Sequence, residues 1–162
     1  MAISILDLLN VERELTLEFF ATFARFEFAL KQAGYVRGDE RGALPDWDAF
    51  ARDLARLDAS FTAGVLDSCK YLLQHPPKKQ IVAAGRLQWV DQRESSGSAI
   101  GDVIRSLRIV RNNVFHGGKF PDGPIVEPLR DEALIRDCLA VFERLLDLPL
   151  PRDVARIFRG GM

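Results

Sequence analysis

Cysteine and histidine are both scarce in this chain, with two of each among 162 residues. Cys69 and Cys138 fall in amphipathic segments, His75 follows Cys69 by six residues, and His116 lies far from His75 and from both cysteines. That spacing matches no metal-ligand set, so neither a metal site nor a disulfide is expected, and no cofactor either. The two cysteines read as small buried apolar residues of a reducing compartment. Charge of one sign is also lacking. Twenty-two Lys and Arg face 23 Asp and Glu, for a net charge of −1. No overall basic field exists, so any nucleic-acid contact must be a local patch. Long apolar runs are missing as well. Asp7, Glu12 and Glu14 interrupt the first hydrophobic stretch. Neither a signal peptide nor a membrane span is expected, and the expected location is the cytoplasm with no membrane partner. No repeat and no low-complexity segment stands out.

What the chain does have is a core. It is 48% hydrophobic and 28% charged, which suits a single domain over residues 1–162. Over residues 10–33, Leu15, Phe19, Thr22, Phe23, Phe26, Ala29 and Leu30 recur at helical spacing. Gly34 is the natural stop. The density of phenylalanine predicts a helix covered on more than one side, either central or at a subunit interface. Residues 35–46, with Gly38, Gly42 and Pro45, read as a loop. Asp46 is a candidate cap for a helix from Trp47 to Asp58, with Trp47, Phe50, Leu54 and Leu57 on its inner face. A further helix is expected from Phe61 to Gln74, ending before Pro76-Pro77. Residues 78–97 fit a short hairpin or a packed loop. A helix from Ser98 to His116, a Gly/Pro loop over 117–130 and a helix from Asp131 to Asp147 complete the pattern. The tail from 147 to 162 is left either docked or mobile. The expected fold is all-α, an up-and-down bundle of four to five helices.

Chemistry concentrates in Arg111-Asn112-Asn113-Val114-Phe115-His116-Gly117-Gly118-Lys119. At about 100° per residue, Val103, Leu107, Val110 and Val114 share one helix face, and Arg105, Arg108, Asn112 and His116 share the other. The polar stripe suits a polyanion, although arginines on a solvated helix face are common. His116 closes the helix, where the dipole favours imidazolium and a proton can be exchanged near neutral pH. A histidine that merely caps the last carbonyls is the plainer reading of that position. Asn112 and His116 are four apart and face each other. Arg111 points elsewhere, so Arg111 and His116 converge only through a distorted last turn or a second subunit.

Arg111, Asn112 and His116 together resemble the Arg-x4-His signature of HEPN-domain ribonucleases. The segment from Phe23 to Lys31 also looks like the first long helix of such domains. The resemblance implies a HEPN-like helical domain, a homodimer with one composite cleft, and metal-independent RNA cleavage by a toxin or defence effector. Arg111, Asn112 and His116 would be its catalytic residues, and Arg105, Arg108 and Lys119 its RNA contacts. An antitoxin or regulatory protein is the implied partner beside RNA. The position two residues after the histidine is Gly118, where toxins paired with nucleotidyltransferase antitoxins carry tyrosine, so control by tyrosine modification is not implied. The alternatives are a non-catalytic HEPN-like module that binds a nucleotide or protein, and a plain helical scaffold. Glu27, in the aromatic-rich helix, is expected to pair with Arg25, Lys31 or an arginine of the motif helix.

Overall fold

The computed structural model describes residues 11–92, 95–115 and 127–161. The first helix, α1 (Arg13–Gln32), opens where the Glu12 carboxylate accepts from the backbone N–H groups of Glu14 and Leu15. It closes as a Schellman motif. Tyr35 N–H reaches Leu30 C=O at 2.9 Å and Gly34 N–H reaches Lys31 C=O at 3.1 Å. Gly34 sits at φ +83°, a conformation that costs glycine little. One face of α1, from Leu15 through Phe19, Phe23 and Phe26 to Leu30, is buried.

The next residues correct the sequence reading. Where a loop was expected, β1 (Val36–Asp39) and β2 (Gly42–Pro45) form an antiparallel hairpin, with Asp39 opposite Gly42. Asp39 holds the turn by binding the Arg41 guanidinium at 2.7 Å, and that bond draws its carboxyl below the usual range. Every hairpin residue but Pro45 is exposed, so no apolar alternation marks these strands. At Gly38, φ is +130° and an added Cβ would collide with the Gly42 carbonyl.

Asp46 caps α2 (Trp47–Leu54) by accepting from Ala49 N–H at 2.9 Å, as its position predicts. The helix stops short of Asp58 because that residue caps α3 (Ala59–Asp67), accepting from Phe61 N–H at 2.9 Å. The expected helix from Phe61 to Gln74 is broken at Ser68-Cys69, and α4 (Lys70–Gln74) follows. Asp137, 65 residues away, accepts from Leu72 N–H at 2.8 Å and so supplies the new helix start with an acceptor. A second antiparallel hairpin, β3 (Lys79–Ala83) and β4 (Arg86–Val90), settles the open reading of residues 78–97. Its turn places Ala84 and Gly85 at positive φ, the mirror-image geometry that tight hairpins need. Then come α5 (Ala99–Phe115) and α6 (Pro128–Leu146). A 3-10 turn at Pro151–Asp153 leads into α7 (Val154–Phe158). The chain's tail therefore docks: Arg25 on α1 donates to the carbonyls of Phe158 and Ile157 at 2.9 and 3.2 Å.

The expectation of an all-α bundle of four to five helices is thus overturned. The described residues form seven α-helices and two small antiparallel hairpins, a mixed α/β arrangement. The core lies between α1, α2, α5 and α6. Phe26 alone meets Trp47, Phe50, Phe142 and Phe158, with ring centroids 4.8–6.0 Å apart. Cys69 and Cys138 are buried free thiols. Burial, with the Asp137 charge beside it, pushes the Cys69 thiol up to about 12. Among the described residues, no helix is long and apolar enough to cross a membrane.

Candidate functional site

The site is built on α5. Ile100, Val103, Ile104, Leu107, Val110 and Val114 bury its inner face, so its orientation is fixed by packing. The N-terminal turn is held by side chains. Ser98 Oγ accepts from Gly101 N–H at 3.1 Å, and Asp102 accepts from Ser96 N–H at 2.6 Å and from Ser95 Oγ at 2.9 Å. Burial alone would raise the Asp102 carboxyl. The hydrogen bonds from Ser96 and Ser95, aided by the Arg105 charge, outweigh it and lower the carboxyl below its ordinary value.

Two buried polar groups of α5 reach sideways to the second hairpin. Asn113 Nδ2 donates to Lys78 C=O at 2.9 Å. Gln92, just past β4, donates from Nε2 to Ser106 Oγ at 3.4 Å and to Pro77 C=O at 3.0 Å. These bonds clamp the base of the hairpin to the helix. Between them lies a groove of about 680 Å³, lined by Lys79, Asp91, Arg105, Arg108 and Asn112 among others. Arg105, Arg108 and Asn112 are the polar stripe that helical spacing predicts, and the structure brings all three to this groove. Arg108 also binds Asp48 of α2 at 2.8 Å, which offsets part of its charge.

Arg111 leaves the helix on the α1 side. Its Nη2 lies 3.8 Å from Glu27 Oε2, and its guanidinium carbon is 5.7 Å from the Phe23 ring centroid and 5.8 Å from that of Phe115. The other Glu27 oxygen accepts from Trp47 Nε1 at 3.2 Å. Glu27 therefore pairs with an arginine of the motif helix, one of the three partners expected for it. Arg111 Nη1 donates to Asn112 Oδ1 at 3.0 Å, so the two motif residues touch although they face different ways. His116 and Lys119 lie outside the described residues. His75, whose N–H bonds Tyr71 C=O, packs its ring on Tyr71 at 4.5 Å.

Lys79 is a groove residue outside the expected site residues. It shares a strand face with Ile81, which also lines the groove, so a period of two along β3 would have found it once a strand was assumed. Among the described residues, no group of three or more His, Cys, Asp or Glu side chains gathers within metal-binding reach. The cationic and amide side chains suit phosphate oxygens, which guanidinium binds through paired hydrogen bonds. Comparison of the chain with models of known families, with curated proteins and with solved structures found no match.

Proposed function

We propose that this chain is a metal-independent endoribonuclease that acts in the cytoplasm as a homodimer, in the role of a toxin or defence effector held in check by a protein partner. The observation that carries the reading is the hydrogen-bonded Arg111–Asn112 pair at the end of α5, beside a groove rimmed by Arg105, Arg108 and Lys79. Arg111 and His116 have the Arg-x4-His spacing that resembles the HEPN ribonucleases. In the proposed reaction the RNA 2′-OH attacks the adjacent phosphorus and the P–O5′ bond breaks. One His116 imidazole takes the 2′-OH proton, and the second copy's His116 returns a proton to the departing 5′-oxygen. Arg111 holds the non-bridging oxygens as charge develops on them, and Asn112 orients the phosphate or His116. The products are a 2′,3′-cyclic phosphate and a 5′-OH. The nucleophile belongs to the substrate, so the scheme requires no metal, and DNA resists for lack of the 2′-OH.

The Arg111–Glu27 ion pair favours a second reading, because it commits the motif arginine to a partner within the fold. On that reading the chain is a module that holds RNA or a nucleotide without cutting it. One experiment separates the two. Labelled single-stranded RNA is incubated in EDTA with the parent protein, His116→Ala and Arg111→Ala. Cleavage by the parent should fall about 10²–10⁴-fold in His116→Ala and about 10²–10³-fold in Arg111→Ala. Intact RNA with the parent, or equal cutting by all three, rejects the ribonuclease.

A further inference from the structure

The groove beside the motif does not stand alone. A second one, of about 570 Å³, lies toward the other end of α5. Arg52 and Arg56 of α2, Ser96 and Ser98 of the turn before α5, and Arg105 line it. Arg105 lines both grooves and stands between them. Asp48 ties the two in another way, since it lines the second groove and binds Arg108 of the first.

The charge of the joined surface is lopsided. Its cations are Lys79, Arg52, Arg56, Arg105 and Arg108, and its carboxylates are Asp48 and Asp91. Arg56 and Arg108 are each bound to a carboxylate, Asp53 at 3.0 Å and Asp48 at 2.8 Å, and the Arg105 charge acts on the Asp102 carboxyl. The local excess is still positive, on a chain whose net charge is −1. Each groove falls within the roughly 300–1,000 Å³ range of small-ligand sites, the scale on which individual nucleotides, not a whole duplex, are enclosed.

We propose that the two grooves form one track for the backbone of single-stranded RNA, gripping about four to six nucleotides on one side of the cut. The length follows from the helix. Ser98 and Asn112 are separated by about 21 Å at 1.5 Å per residue, which is roughly six nucleotides of a stacked strand at 3.4 Å each. An extended strand covers the distance with fewer. This inference rests on the ribonuclease reading for the position of the cut. The track itself rests only on the two grooves and their charges. It makes the substrate an oligonucleotide with an anchored flank, and it gives Arg52 a role that no motif assigns.

Binding is measured on full-length His116→Ala, which holds RNA without cutting it under the proposed reaction. The probes are fluorescein-labelled oligouridylates of two to ten nucleotides and a ten-pair RNA duplex, read by anisotropy across a salt series. Affinity should rise with length up to about six nucleotides and then level off. The plot of log K against log salt should be shallower by about 0.7 in Arg52→Ala and again in Lys79→Ala, one phosphate contact each. Arg136→Ala, on the exposed side of α6, should match the parent background in affinity and slope. Circular dichroism confirms that each variant is folded. An unchanged slope in Arg52→Ala, a plateau at the dinucleotide, equally tight duplex binding or no RNA binding at all overturns the track. Cleavage by the parent in EDTA is read beside it. Cutting with no effect of Arg52→Ala discards the track and keeps the ribonuclease. Length-dependent binding without cutting keeps the track and discards the ribonuclease.

Discussion

Glu27 is a costly residue to place in a helix of phenylalanines, because a half-desolvated carboxylate needs partners. It has two: Trp47 Nε1 at 3.2 Å and the Arg111 guanidinium at 3.8 Å. Its side chain is 23% exposed and that of Arg111 32%, so the pair is neither open to solvent nor fully dry. Glu27 therefore acts as a positioning residue that sets where Arg111 can reach. Glu27→Gln keeps an acceptor for Trp47 and removes the charge. The expected stability loss is about 1 kcal/mol, as for a partly exposed ion pair. If Arg111 serves cleavage, kcat should drop by roughly tenfold while RNA affinity holds, since a loosened arginine stabilises the transition state less. A variant that melts and cuts like the parent would show that Glu27 does not position Arg111.

The element that carries the site is α5, and its start depends on a charge. The Asp102 carboxyl is held below its ordinary value: burial opposes this, but the bonds from Ser96 and Ser95 prevail. A depressed folded pKa stabilises the fold above the unfolded value of about 3.9 and loses that contribution as pH falls through the folded value. Asp102→Asn should therefore lower Tm at neutral pH and converge with the parent well below pH 3.9. Parallel Tm curves from neutral to acid pH would deny Asp102 this role. Legibility from sequence also differs by element. α1, α2, α5 and α6 are readable because their inner faces repeat at helical spacing, and the local cap Asp46 marks the start of α2. The break between α3 and α4 was not, because the acceptor for Leu72 N–H is Asp137, on another element. The first hairpin was hidden because its exposed strands carry no alternation. At the site, the stripe of Arg105, Arg108 and Asn112 followed from helix arithmetic. Lys79 did not, because its place depends on how β3 lies against α5.

At the scale of the whole molecule, α1 is left half covered. The sequence predicts a helix buried on more than one side, yet Leu17, Phe20 and Phe28 are 67%, 53% and 42% exposed. On the proposed homodimer reading, these three large apolar side chains are the face that a second copy would cover. The face adjoins the motif: Phe20 packs on Phe115 at 5.4 Å, and Phe115 in turn lies 5.8 Å from the Arg111 guanidinium carbon. A second copy seated on α1 would therefore come close to Arg111, which the fold turns toward α1 and away from the groove. This is the arrangement that a composite site requires. Phe20→Asp should shift the protein toward monomer in sedimentation at micromolar concentration and remove cleavage with it. A mixing experiment tests the shared site directly. Arg111→Ala and His116→Ala, each inactive alone, are combined and allowed to exchange subunits. If Arg111 of one copy works with His116 of the other, each mixed dimer regains that pair with one His116 left to move the proton, and activity should rise above that of either variant alone while staying below about half of the parent's, since about half of the dimers are mixed. If both residues act within one chain, every site in the mixture lacks one of them and no activity returns.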